Sequence, residues 1–172
     1  SAPAPAPLPE RFALGRPATP EEIAALDLDV NASWDGLPPG KGSVAEGEQL
    51  FATKCMVCHA PDAKGGKGWL GPQLVGTEPL SGFEKDWHLP KVIGTWWPHA
   101  STVFDYTRRS MPQNAPGSLT VNETYALTAF LLARNNAVPA DFVADQDTLK
   151  TVKMPTRVTF VPDDRESTPT FR

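Results

Sequence analysis

Two cysteines three positions apart, with a histidine directly after the second, are the residues of this 172-residue sequence best suited to chemistry. Cys55 and Cys58 are the only cysteines, and His59 completes the pattern C-x-x-C-H. Thiols at this spacing can form a redox-active disulfide, bind zinc, or attach a cofactor covalently. The residues around the motif distinguish among these three chemistries.

The first two chemistries lack the partners that they need. A thioredoxin-like pair opens a helix after a strand within a βαβ unit, and the sequence predicts no such unit. A zinc site needs two more ligands, and the spacing of His88 and His99 from Cys58 matches no compact zinc module. Neither a redox disulfide nor zinc explains why His59 follows the second cysteine.

The pattern C-x-x-C-H is typical of covalently attached haem. Two cysteines at positions i and i+3 of a helix start can each form a thioether with a haem vinyl group, and the next imidazole then binds the iron from the same side. The sequence therefore predicts one covalent haem c with His59 as the proximal iron ligand.

The second axial ligand has to come from another sulfur or imidazole side chain. Met56 lies between the cysteines and cannot reach the opposite face of the ring, so the residues alone leave Met111, Met154, His88 and His99. Methionine opposite histidine raises the reduction potential, whereas a second histidine lowers it. An iron with both axial positions filled transfers electrons, so we expect no catalytic residues and a non-catalytic, electron-transfer role.

The surroundings of the motif resemble class I c-type cytochromes. The sequence GPQL at 71–74 is similar to the family's Gly-Pro-x-Leu turn, and the resemblance implies that the Pro72 carbonyl accepts a hydrogen bond from the proximal histidine. The loop RRSMPQNAPGSL is similar to the one that carries the family's distal methionine, which implies Met111 as the sixth ligand. The predicted cofactor-binding residues are therefore Cys55, Cys58, His59, Pro72 and Met111, with His59 and Met111 on the metal.

Helices are predicted to position these residues. Capping-box patterns begin three of them, at Thr19 with Glu22, Ser43 with Glu46 and Thr120 with Glu123. The second runs into the cysteine motif, the third is expected to stop at Asn135 or Asn136, and residues 101–110 form a further helix before Met111. No strand of useful length is predicted. The family resemblance implies that the second and third of these helices cross, with Gly47 and Phe51 meeting Tyr125 and Phe130.

The predicted fold class is all-α, a class I cytochrome c fold with long irregular N- and C-terminal arms. The 19 prolines favour extended segments, and they predict a proline-rich arm with one short helix over 1–42, a haem domain over 43–138 and an extended arm over 139–172. Large apolar residues recur along the N-terminal arm, namely Phe12, Leu14, Leu26, Leu28 and Trp34. They are suited either to the chain's own core or to a partner's surface, and we expect the arms to wrap a partner.

Charge and hydropathy exclude several functions. A net charge of −4 leaves no basic patch for nucleic acid or an anionic membrane, and no run of ~18 apolar residues predicts a membrane span. The start SAPAPAPLPE has no export-signal features, which is consistent with a mature N-terminus. Because haem of this type is attached outside the cytoplasmic membrane, the predicted location is the periplasm.

Longer phrases, including LGRPATPEEIAALDLDV, GLPPGKGSVAEGEQLF and GTWWPHASTVFDYTRRSMPQNAPGSLT, resemble the cytochrome subunits of sulfane dehydrogenase (SoxD) of the Sox sulfur-oxidation pathway. The resemblance implies a hetero-oligomer in which a molybdenum-cofactor subunit oxidises sulfane sulfur or sulfite and passes electrons to this chain, which reduces a soluble cytochrome c. The alternatives are a free-standing periplasmic electron carrier and the cytochrome subunit of a different dehydrogenase. Some family members carry a second haem domain, and this sequence has a single C-x-x-C-H.

Overall fold

The computed structural model describes residues 15–77, 88 and 90–156. Its centre is the crossing of two helices, α2 (Val44–Lys54) and α5 (Val121–Arg134). The predicted capping boxes of both helices are present. The Ser43 and Thr120 hydroxyls accept a hydrogen bond from the backbone N–H three residues on, and the side chain of the glutamate there accepts one from the backbone N–H of the serine or threonine. Local sequence signals therefore start both central helices where they were predicted.

Gly47 lets the two helices approach closely. A Cβ atom at this position would collide with the Ala126 carbonyl and lie 2.7 Å from the Cβ of Phe130. One turn further on, the rings of Phe51 and Phe130 pack at a centroid distance of 5.1 Å. The predicted meeting of Gly47 and Phe51 with Phe130 is confirmed, whereas Tyr125 packs elsewhere.

Helix α5 is buried on all sides along residues 124–132. Helix α4 (Ala100–Ser110) covers it on another side, where the rings of Phe104 and Tyr125 pack edge to face at 4.8 Å. The Tyr125 hydroxyl donates to the Pro38 carbonyl at 2.8 Å, and burial raises the pKa of Tyr125 to about 12. Helix α5 is therefore the axis around which the other elements pack.

A two-stranded antiparallel sheet differs from the expectation that the chain has no strand. Strand β1 (Lys41–Ser43) pairs with β2 (Val143–Asp145), with Gly42 opposite Ala144. Gly42 lies against the backbone of Ala126, too close for a side chain. Strands of three residues are too short to show a period-two pattern, so sequence periodicity cannot detect them.

Both flanks of the predicted haem domain pack onto it within the described residues. On the N-terminal side Val30 and Leu37 are buried, and Trp34 packs against the same core. On the C-terminal side Leu149, in the single-turn helix α6 (Thr148–Thr151), is fully buried, together with Ala144 and Met154. These segments stabilise the chain's own core, and the domain boundaries at 43 and 139 stay predictions.

The first helix makes no such contribution. Helix α1 (Pro20–Leu26) has the predicted capping box at Thr19, and Arg16 forms an ion pair with Glu22. None of its residues is buried, and Ile23 and Leu26 are 54% and 84% exposed. Leu28 is half-buried, and Phe12 and Leu14 lie outside the described residues.

Candidate haem site

The C-x-x-C-H motif forms one tight helical turn directly after α2. Cys55 ends α2, and the backbone N–H groups of both Cys58 and His59 donate to its carbonyl at 3.0 Å within α3 (Met56–His59). The two cysteines are half-buried and not joined by a disulfide. This turn presents two thiols and an imidazole within five consecutive backbone positions.

Burial raises the pKa of the Cys55 thiol to about 11, with Lys54 lowering it and Cys58 raising it further. The thiol is therefore protonated at neutral pH. Redox-active pairs and zinc sites instead need a thiolate, which an electropositive setting stabilises. The environment of Cys55 does not favour those two chemistries.

His59 is buried and hydrogen-bonded through one ring nitrogen. Its Nδ1 lies 2.8 Å from the Pro72 carbonyl oxygen, so Nδ1 carries the proton and donates to that oxygen. Nε2 is then the nitrogen with the lone pair that a metal needs. The structure thus brings together His59 and Pro72. A hydrogen bond of this kind orients an imidazole and raises its basicity as a ligand.

The turn that carries Pro72 is shaped around the histidine ring. A Cβ atom at Gly71 would lie 2.7 Å from His59 Nδ1 and 2.8 Å from Cε1, so only glycine leaves room for the ring. The Gly71 N–H donates to the Cys58 carbonyl at 2.9 Å, which binds the turn directly to the motif. A Cβ atom at Gly65, where φ is +35°, would lie 2.6 Å from the Pro72 carbonyl oxygen and 2.7 Å from that of Gly71.

Met111 follows α4 immediately, as the residue that ends it. It is half-buried, in extended backbone, and its N–H donates to the Thr107 carbonyl at 3.3 Å. Met154 is 3% exposed and packs within the hydrophobic core. His99 precedes α4 and is half-buried, and His88 is exposed. Met111 stays the predicted sixth ligand.

Two residues that sequence reasoning missed organise the surroundings of this site. Asp105 is buried in α4, accepts from the Val30 N–H at 2.9 Å and pairs with Arg109 at 2.5 Å. Asn135, predicted only as a helix stop, is buried, and its side chain bonds to two segments distant in sequence, residues 74–76 and Gly94. The i, i+4 spacing of Asp105 and Arg109 is a local signal. The long-range partners of Asp105 and Asn135 leave none, because they lie 41 to 75 positions away along the chain.

Arg108 and Arg109 stand three and two positions before Met111, where they would suit haem propionates or a partner's acidic rim. In the structure Arg108 donates to the Leu28 carbonyl at 3.1 Å, and Arg109 donates to Asp105. Arg108 therefore joins the N-terminal segment to α4, whereas Arg109 forms an ion pair within α4.

Among the described residues, no group of three or more histidine, cysteine, aspartate or glutamate side chains could hold a metal ion. A haem iron needs no such group, since one histidine and one methionine suffice. In the same part of the chain, no helix has the length and hydropathy required to cross a bilayer.

The residues of the motif fit a covalently attached haem. The thiols of Cys55 and Cys58 lie at the spacing for two thioethers, and the hydrogen bond at Nδ1 leaves Nε2 of His59 for iron. Glycine at position 71 leaves the space that the imidazole ring of His59 occupies. Fold and site together define a c-type cytochrome.

Comparisons with known proteins specify this class further. The family model described as cytochrome C oxidase, cbb3-type, subunit III, matches residues 42–131. A chain in the crystal structure of the sulfane dehydrogenase SoxCD from Paracoccus pantotrophus is 40% identical, with a TM-score of 0.75, over 93% of this chain and 81% of that one. The chain therefore belongs to the cytochrome c family and is a SoxD-like cytochrome.

A curated relative also acts on a sulfur compound. The thiosulfate dehydrogenase of Stutzerimonas stutzeri (strain A1501) is 28% identical over 97 residues, which are 55% of this chain. The match spans 28% of that relative's length.

The predicted all-α class I cytochrome c fold is confirmed, with the small β1–β2 sheet as an addition.

Proposed function

We propose that this chain is the electron-transfer subunit of a periplasmic sulfur-compound dehydrogenase. It takes electrons from a molybdenum-cofactor subunit that oxidises sulfane sulfur or sulfite, and it passes them to a soluble cytochrome c. The observation that carries the proposal is the 40% identity to a SoxCD chain over 93% of this one. A match of that extent includes the flanking segments as well as the haem motif.

Five residues would hold one haem c. Cys55 and Cys58 attach it through thioethers, His59 and Met111 bind the iron, and Pro72 orients His59. When bound, the haem supplies reversible one-electron oxidation and reduction. The chain's own contribution is to fix the tautomer of His59 through the 2.8 Å hydrogen bond to Pro72 and to hold Met111 at the end of α4.

The exposure of helix α1 supports the proposal of a partner subunit. A capping box and an ion pair stabilise this helix of seven residues, yet none of its residues is buried against the described part of the chain. Helices this short are marginal in water, so most helical stability has to come from packing an apolar face. Ile23 and Leu26 lie three positions apart on one such face, and we assign this face to the contact with the molybdenum subunit.

The test is to purify the protein from its natural host and identify what elutes with it. We expect an assembly that contains a molybdopterin protein, and this chain should weigh one haem more than its bare polypeptide. A chain that carries haem but elutes alone is a free-standing carrier. A colourless chain with the mass of the bare polypeptide removes the haem proposal itself.

The docking face has a separate test. Leu26→Asp should reduce recovery of the assembly at least roughly tenfold, because a charge replaces an apolar contact at the interface. Ala25→Asp, on the other side of the same helix, is the matched control. Equal recovery of both variants would place the partner elsewhere on the chain.

A further inference from the structure

Asn135 lies at the end of α5 and joins it to the segment that carries Pro72. We propose that Asn135 is a positioning residue for the proximal histidine: its side chain fixes residues 74–76 and thereby the Pro72 carbonyl that accepts the His59 hydrogen bond. This inference rests on the proposed haem site and adds to it a residue that binds neither iron nor porphyrin.

The side chain of Asn135 uses its full hydrogen-bonding capacity. It is 1% exposed, and its Oδ1 accepts from the backbone N–H of Gly76 at 3.0 Å and of Gly94 at 2.9 Å. Its Nδ2 donates to the carbonyls of Leu74 at 3.2 Å and Leu131 at 2.8 Å. A buried amide with four partners fixes all of them, since any displacement leaves a polar group unpaired.

These bonds exceed what a helix end requires. The Asn135 backbone N–H already donates to Leu131 and Leu132, and the side-chain bond to Leu131 is local. The bonds to Gly76 and Gly94 instead join residues 59 and 41 positions away along the chain. A Cβ atom at Gly94 would lie 2.6 Å from Asn135 Oδ1, so the backbone there approaches the amide directly.

A short connection leads from Asn135 to His59. The Leu74 and Val75 N–H groups donate to the Ala63 carbonyl at 2.9 and 3.2 Å, while Asn135 holds the Leu74 carbonyl and the Gly76 N–H. The segment is thus fixed on two sides directly after Pro72. The Pro72 carbonyl, two residues before Leu74, reaches Nδ1 of His59 at 2.8 Å.

The experiment compares Asn135→Leu with Asn122→Ala in the haem-loaded protein. Asn122 lies in the first turn of the same helix, and its Oδ1 also accepts one long-range bond, from the Lys41 N–H at 3.0 Å. The readouts are the exchange rate of the His59 Nδ1 proton in the ferrous protein, by NMR, and the reduction potential. Neither depends on dehydrogenase activity.

We expect Asn135→Leu to speed exchange of the Nδ1 proton by on the order of 10-fold and to raise the potential, because a less well-held carbonyl makes His59 a less basic ligand. Asn122→Ala should leave both unchanged, even where it lowers the melting temperature. If Asn135→Leu does not fold, Asn135→Ser, which is too short to span Gly76 and Leu74 together, should speed exchange by a smaller factor.

Exchange and potential equal to wild type in the folded Asn135 variants would overturn the positioning role and leave the proposed function intact. Wild-type protein without covalent haem would instead remove the proposed function and this inference with it. The wild-type haem content is therefore measured first, so that the two failures are distinguishable.

Discussion

At the scale of single residues, the hydrogen bond between His59 and Pro72 decides how the imidazole can be used. Because the Pro72 carbonyl accepts the Nδ1 proton, the other nitrogen is left with its lone pair, and the ring cannot rotate without losing the bond. Gly71 makes this possible by leaving the space that any side chain would fill. The imidazole is therefore oriented directly by a backbone carbonyl.

Replacing Met111 with alanine tests the sixth ligand. We expect a lower reduction potential and binding of carbon monoxide to the ferrous protein, with the haem still attached, because a thioether ligand that favours ferrous iron is lost. The near-infrared band of methionine-ligated ferric haem should disappear. Met154→Ala is the control, since it removes a buried thioether from the core and costs about 2–5 kcal/mol of stability. An unchanged potential in Met111→Ala would assign the ligand to another residue.

Asp105 makes the stability of the fold depend on pH. Burial raises the pKa of its carboxyl, but the hydrogen bonds from Arg109 and the Val30 N–H outweigh burial, and the pKa lies below its usual value. A carboxyl with a depressed folded pKa contributes stability above its unfolded pKa of about 3.9, and this is lost as the pH falls through the folded pKa. The stabilisation is thus complete at neutral pH.

Asp105→Asn should consequently lower the free energy of unfolding by about 1–3 kcal/mol at pH 7, since it removes a charged hydrogen bond to Arg109. The difference from wild type should shrink as the pH falls below about 4. Urea titrations at several pH values measure it, with the exposed Asp141→Asn as the control. A difference that stays constant with pH would show that the ion pair contributes nothing.

At the scale of elements, the α2–α5 crossing depends on a single absent side chain. Alanine favours an isolated helix over glycine by ~1 kcal/mol, yet a Cβ atom at Gly47 collides with the Ala126 carbonyl. We expect Gly47→Ala to lower stability by about 1–3 kcal/mol through overpacking. In thermal unfolding the control Ala52→Gly, on the exposed side of α2, should cost ~1 kcal/mol. A more stable Gly47→Ala protein would contradict the crossing.

The elements that were predictable are those whose signals are local. The capping boxes at Thr19, Ser43 and Thr120 each depend on residues three apart, and all three begin helices as predicted. The β1–β2 pair was not predictable, because its stability comes from Gly42 packing on Ala126 and not from any pattern within three residues. Asn135 was likewise recognisable as a helix stop, but its long-range partners were not.

At the scale of the whole molecule, the described flanks are divided between two roles. Residues 30–43 and 142–156 pack onto the helical core, as Val30, Leu37 and Leu149 show by their burial. Helix α1 packs on nothing in the described part. From sequence, the apolar residues of the N-terminal segment are suited either to the chain's own core or to a partner's surface. The structure separates them, because Trp34 packs against the core while Leu26 is exposed.

Leu149→Ala tests the structural role of the C-terminal segment. Leu149 is fully buried in the core, so truncating it should cost about 2–5 kcal/mol and lower the melting temperature of the whole domain by several degrees. Val143→Ala, at an exposed position of β2, should change it little. If Leu149→Ala unfolds at the wild-type temperature, the segment is an appendage and not part of the core.

The pairing of Lys41 with Asp145 also has a consequence for the order of events during synthesis. About one hundred residues separate the two strands, and at ~5–20 residues per second the ribosome needs on the order of 5–20 s to supply the second. For most of that interval the cysteines are already part of the nascent polypeptide, whereas strand β2, which closes the domain, has not been synthesised. Completion of the native fold therefore waits for nearly all of the described chain to be translated.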